Sequence, residues 1–197
     1  VLSVLGTYFG GLLVDHFIFG LNLKRRVCII SPKADEILSC AEDAATDRNL
    51  RLAKTAGCHI HLCHVSTEHC IKSAELAKND GVNVTYEITP HHIYFESGKA
   101  PAIFNIVNPP LRKKSDRDAL IKALIDSKAC CIGTDHAPHT LEDKQKGVWN
   151  SSPGIPNLET VVSLLLTEVN KGNINLSIIP KILSQNAAEV YGLENKG

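Results

Sequence analysis

Apolar residues follow two alternating rhythms along this chain. Short runs, Cys58 to His64, Val82 to Ile88 and Ala129 to Thr134, are too brief for helices and read as strands. Between them the spacing is helical. Ala34 to Ala56 lies between the start signal Ser31-Pro32 and the stop Gly57, and a second helix capped by Thr67 runs to about Asn79 with Gly81 beyond it. A third, capped by Ser115 or Asp116, runs to about Ser127, and two or three helices over 157–171, 176–184 and 187–191 finish the chain. Two long connections, 89–111 and 139–156, exceed ordinary loop lengths, which points to function.

Repeated strand-helix units with right-handed crossovers predict an α/β fold on a parallel sheet, open or closed into a TIM-type (β/α)8 barrel, and the units here supply only part of such a barrel. There is no Gly-rich phosphate loop, short-period repeat or interdomain linker, so residues 1–197 read as one partial barrel domain. The opening Val1 to Leu21 is apolar enough to raise a membrane question. Its Gly6, Gly10, Gly11, Asp15 and His16, with no basic leader before them, favour a buried strand and adjoining turns.

Lys plus Arg equal Asp plus Glu at 21 each, so no global field favours nucleic acid or an anionic membrane. A small neutral or anionic substrate must then be held by local groups. The 7 cysteines lack paired zinc-type spacing and several lie in apolar runs, as expected of reduced thiols in a cytoplasmic protein. With no methionine anywhere, position 1 included, the chain reads as an internal piece of a longer protein.

Three strand ends carry side chains that bind metal or move protons: Cys63-His64-Val65-Ser66-Thr67, Thr89-Pro90-His91-His92 and Gly133-Thr134-Asp135-His136-Ala137-Pro138-His139. Alternation places His59 and His61 on one face of the first strand and Ile60, Leu62 and His64 on the other. If the second face lines a barrel interior, His64 reaches the open end, while His59 and His61 lie further back on the helix side as structural histidines. At His91-His92 one imidazole can point inward and the other away. His64, His92 and Asp135 stand 28 and 43 positions apart (64 to 92, 92 to 135), about one and two strand-helix units, which brings them to the same barrel end. Neutral imidazole and carboxylate suit zinc.

The ordered set His64-Val65-Ser66-Thr67, Thr89 to His92, Asn108-Pro109-Pro110-Leu111-Arg112 and Thr134 to Thr140, followed by Pro153-Gly154, Leu158-Glu159 and Asn186-Ala187, resembles the dihydroorotases of the amidohydrolase superfamily, in the class found in multifunctional complexes. The resemblance runs from about Ala34 to Leu193. It implies one or two zinc ions, with His64 and His92 as ligands on barrel strands five and six and Asp135 on strand eight as both ligand and proton shuttle. It also implies that Asn108, His139 and the backbone of Pro153 and Gly154 hold the substrate, with His91, His136 and Arg112 in supporting places. The implied reaction is the reversible interconversion of dihydroorotate and N-carbamoyl-aspartate in pyrimidine synthesis.

Two departures qualify that expectation. The His-x-His-x-Arg with which such barrels begin does not precede Val1, and the small β-domain that follows them is missing after Asn195-Lys196-Gly197. In Val14-Asp15-His16-Phe17-Ile18-Phe19, the nearest match to the bridging segment, Ile18 and Phe19 stand at acidic positions. The isolated part is therefore expected to need its missing half or a partner, such as a second copy or an aspartate transcarbamoylase. The competing readings are a hydantoinase, dihydropyrimidinase or allantoinase, and a non-catalytic partner of a transcarbamoylase.

Overall fold

Proline at the first position starts the first helix, because its fixed φ suits a helical turn and its missing N–H is not needed there. The computed structural model describes residues 32–101, 106–147 and 150–196. The opening segment 1–21 and the bridging match around Asp15, Ile18 and Phe19 lie outside the described residues. Helix α1 (Pro32–Ala56) ends at Gly57, whose φ of +63° is left-handed, and the chain turns into strand β1 (Ile60–Leu62). Thr67 then caps helix α2 (Glu68–Asn79), its hydroxyl oxygen accepting from the Cys70 N–H at 3.1 Å.

Strand β2 (Val84–Ile88) leads through Thr89 into a short helix α3 (Pro90–Tyr94), where the sequence predicted a loop. Pro90 occupies the first helical turn. Helix α4 (Lys114–Ile125) is entered from Lys113 rather than from a Ser115 or Asp116 cap. Asp116 works elsewhere: it is buried, and its Oδ1 accepts from the Glu68 N–H, the first of α2, at 3.0 Å. After β3 (Cys131–Ile132) come α5 (Leu141–Lys144), α6 (Val161–Asn170), α7 (Ile178–Pro180), a π-type turn over Lys181–Gln185, and α8 (Asn186–Tyr191), closed by left-handed Gly192.

The three strands form a parallel sheet in the order β1-β2-β3, with Leu62 opposite Tyr86 and Ile88 opposite Ile132. One sheet face carries Leu62, Val84, Tyr86, Ile88 and Ile132. It packs into a core with Ile71 and Ala74 of α2, Leu120 and Leu124 of α4 and Leu165 of α6. That corrects the expected assignment of faces. The Ile60 and Leu62 face meets the helices, and His61 lies opposite, with Thr85 and Glu87 of β2 as its neighbours. Alternation shows which residues share a face, while the apolar stripes of the helices decide which face they cover.

A second correction concerns spacing. β2 bonds β3 directly, so His92 and Asp135 follow adjacent strands, and among the described residues no strand lies between them. The connection before α4 includes residues 102–105, which lie outside the described residues. No helix among the described residues is long and apolar enough to cross a membrane, and no disulfide joins the described cysteines.

Candidate active site

His64 and Asp135 follow the carboxyl ends of the two outer strands, and both hold left-handed backbone, at φ +41° and +44°. L-residues adopt that region at a cost, and such strain clusters where a side chain must be aimed. The turn at His64 is held by β2: its N–H donates to Glu87 Oε1 at 3.3 Å, and the Val65 N–H donates to the Glu87 carbonyl at 3.0 Å. Burial raises the Asp135 carboxyl above the usual carboxylate range, the charge of His64 pulls it back down, and that of Glu87 pushes it up.

The adjacent pair His91 and His92, with ring centroids 4.4 Å apart, is almost wholly buried. Both nitrogens of His92 are engaged: Nδ1 accepts from the Thr89 hydroxyl at 2.7 Å, and Nε2–H donates to the Pro109 carbonyl at 3.1 Å. In this arrangement neither is open to a cation. His91 differs. Asn157 Nδ2 meets its Nδ1 at 2.7 Å, but its buried Nε2 has no partner. Burial pushes the pKa of His91 down to about 2 and that of His92 to about 3; the charge of His92 lowers the first further and that of Arg112 the second, with His64 a smaller contributor to both.

The expected substrate-side residues gather around one ammonium. Lys144, at the end of α5, is buried and donates to the carbonyls of Ile106 at 2.9 Å, Ser152 at 3.2 Å and Gly154 at 3.0 Å. The Gly154 N–H also donates to Ile106 at 2.9 Å, and His139 Nε2–H donates to the Pro153 carbonyl at 3.0 Å. Gly154 has φ +140°, and a β-carbon there would lie 2.5 Å from the Ala137 β-carbon, so only glycine allows the two segments to touch. His139, Pro153 and Gly154 are thereby brought together, and exposed Asn108 lies two residues beyond Ile106 in the same connection. His136 pairs through its backbone with Ile155, and its Nδ1 accepts from the N–H groups of Asn157 and Leu158 at 3.1 and 3.0 Å.

Arg112 anchors the connection to the end of β1. Its Nε donates to Ser66 Oγ at 2.9 Å and its Nη2 to Glu42 at 2.7 Å, and the guanidinium is buried. Sequence reasoning did not single out Glu42, Glu87, Lys144 or Asn157. Each acts on a partner far along the chain, so no local spacing marked them.

The family model for "Amidohydrolase family" matches residues 32–197, which is most of the chain and all of the sheet just described. The chain belongs to the amidohydrolase family. Curated members of similar sequence include the dihydroorotase of Clostridium botulinum, 44% identical over 159 residues, and that of Bacillus cytotoxicus, 41% identical over 162 residues. Each match covers 80% of this chain but 38% of the relative, so the chain spans under two-fifths of the length of these amidohydrolases. Among solved structures, the D-hydantoinase of a Thermus species superposes with a TM-score of 0.73 at 27% identity, over 79% of this chain and 36% of its own. The L-hydantoinase of Arthrobacter aurescens gives 0.75 at 25% identity, over 95% and 41%. A dihydroorotase from Saccharomyces cerevisiae, in complex with 5-fluoroorotic acid, gives 0.71 at 22% identity, over 80% and 45%, and shows the shared fold. The parallel sheet with its helices is thus part of an amidohydrolase TIM-type barrel.

Proposed function

We propose that this chain is the carboxyl-terminal barrel portion of a cytoplasmic zinc-dependent dihydroorotase. In this reading it hydrolyses dihydroorotate to N-carbamoyl-L-aspartate, or closes the ring in reverse, in pyrimidine synthesis. The single observation carrying it is the pair His64 and Asp135, both on left-handed backbone just past the ends of β1 and β3. In this reading the His-x-His-x-Arg and the small β-domain would be supplied by other sequence.

The donors fit zinc: an imidazole and a carboxylate at strand ends, with the buried, unpartnered Nε2 of His91 close enough to feel the charge of His64. His64 and Asp135 would hold it. His92, the third ligand expected from sequence, joins only by giving up the Pro109 carbonyl. Zinc supplies Lewis acidity toward the ring carbonyl and lowers the pKa of water to about 7. Asp135, its pKa already raised by burial, takes the proton of the attacking water and returns it to the amide nitrogen as the ring C–N bond breaks. The backbone of Pro153 and Gly154, fixed by Lys144 and His139, faces the ring amide, and Asn108 takes the ring carboxylate. His139 contributes through Nδ1, since Nε2 is committed to Pro153.

The amidohydrolases of similar fold named hydantoinase or dihydropyrimidinase supply the second reading, a neutral cyclic amide. A panel of dihydroorotate, hydantoin, dihydrouracil and allantoin, assayed with zinc on the chain joined to an amino-terminal barrel half, separates the two. Turnover of dihydroorotate first, lost in Asp135→Asn, is expected. Preference for a neutral ring overturns the substrate. Failure to retain zinc, with no turnover of any ring, overturns the hydrolase reading in favour of a non-catalytic partner of a transcarbamoylase.

A further inference from the structure

The sheet face opposite α2, α4 and α6 carries a second group of donors, none of them among the proposed ligands. His61 Nδ1 lies 4.0 Å from Cys130 Sγ, Cys130 Sγ lies 3.4 Å from Cys131 Sγ, and all three donor atoms fall within 4.8 Å of one another. Tetrahedral zinc with bonds of about 2.3 Å to sulfur and 2.0 Å to nitrogen sets its donors roughly 3.5 to 3.8 Å apart. The spacing here therefore needs adjustments of only a few tenths of an ångström at the two shorter separations. We propose that His61, Cys130 and Cys131 form a binding site for one soft divalent cation of the zinc class, separate from the His64 and Asp135 centre.

The surroundings of His61 are those of a metal ligand. Its Nε2–H points at Glu87 Oε2, 3.5 Å away, and Nδ1 lies on the side of Cys130, so loss of the Nδ1 proton turns a lone pair toward the sulfurs. Thr85 Oγ1 now meets that nitrogen at 2.8 Å, and it also meets His59 Nε2 at 2.9 Å. Turning the hydroxyl frees Nδ1 while the oxygen continues to accept from His59. The Cys130 thiol donates to the Tyr86 carbonyl at 2.9 Å. On binding, the Cys131 thiol proton and the one proton shared between Cys130 and His61 pass to solvent as two sulfur–metal bonds and one nitrogen–metal bond form, so the complex releases two protons per cation. The bond to Cys130, and then burial, raise the Cys131 thiol, whereas the bond from Cys131, and then His61, hold Cys130 down to about 5. Soft thiolates with one imidazole select zinc and its heavier congeners over magnesium or calcium.

Cadmium is the probe, because a thiolate–cadmium bond has an ultraviolet charge-transfer band that ligation by imidazole and carboxylate lacks. The whole chain, reduced and stripped of metal, is titrated with Cd2+ alone. One equivalent giving a band of two-thiolate intensity is expected, falling by about half in Cys130→Ser. His64→Asn and Asp135→Asn leave it intact, so failure of the hydrolase centre is told apart from failure of this site. Absence of the band, or a band that survives Cys130→Ser unchanged and vanishes with Cys63→Ser or the exposed Cys40→Ser, overturns the assignment. Should a variant fail to fold, the 113Cd resonance of the unaltered chain decides: a shift in the two-sulfur range supports the site, and one in the nitrogen and oxygen range overturns it.

Discussion

Gly133 lies so close to Glu87 that a β-carbon at position 133 would stand 2.3 Å from Oε1 and 2.4 Å from Cδ of that carboxylate. The missing side chain lets Glu87 stand between β1 and β3, where Oε1 accepts from His64 N–H and Oε2 faces His61. Gly133→Ala must displace the carboxylate and with it the turn that aims His64. Urea unfolding is expected to show a loss of roughly 1–3 kcal/mol. Most of that penalty should vanish when the alanine is added to Glu87→Ala, because the collision is then gone. A penalty of equal size in both backgrounds contradicts the relationship.

Lys144→Met takes away the donor shared by the carbonyls of Ile106, Ser152 and Gly154, of which Ile106 keeps the Gly154 N–H. A stability loss of roughly 1–3 kcal/mol follows from the other two acceptors left without it. Amide exchange at Gly154 should quicken, since its N–H donates to one of the three gathered segments. Unchanged exchange there would show that the contact with Ala137 alone holds the segment.

Arg112→Met removes the buried partner of Glu42, whose carboxylate keeps only 19% of its side-chain exposure. The change should cost roughly 3–5 kcal/mol, as for other buried pairs broken on one side. Adding Glu42→Leu should recover much of it, a result read directly from paired thermal melts. If the double variant is no more stable than the single, the guanidinium acts through packing alone.

Acid should destabilise the chain through His91 and His92. Their folded pKa values, about 2 and about 3, lie below the ordinary 6.5, so the unfolded chain binds more protons between those limits. The stability these rings contribute is fully present above pH 6.5 and drains away as pH falls toward 3, by at most about 1.4 kcal/mol per pH unit for each ring. Denaturant midpoints from pH 7 to pH 4 test this: His92→Asn should flatten the slope. An equally steep slope in that variant assigns the effect to other groups.

Much of the scaffold was legible from local signals. Thr67, Gly57 and Gly81 marked helix ends because capping and left-handed turns depend on a few neighbouring atoms, and the three strands stood where apolar runs predicted them. What misled was orientation. Leu62 and His61 alternate as expected, yet nothing in β1 itself says which of them meets α2 and α4. His92 was equally opaque, since the carbonyl that engages its Nε2 belongs to Pro109, 17 residues away. Asp116 had the composition of a cap for its own helix, but tertiary packing turned it to serve α2.

The left-handed turns at His64 and Asp135 also set an evolutionary trap. Glycine sits in that conformation without a steric penalty, so every round of mutation offers these two positions an easier backbone in exchange for their side chains. In a duplicated gene released from its duties, positions 64 and 135 would drift to glycine early, long before the apolar interior decayed. Retired copies of this protein should be recognisable by those two letters alone.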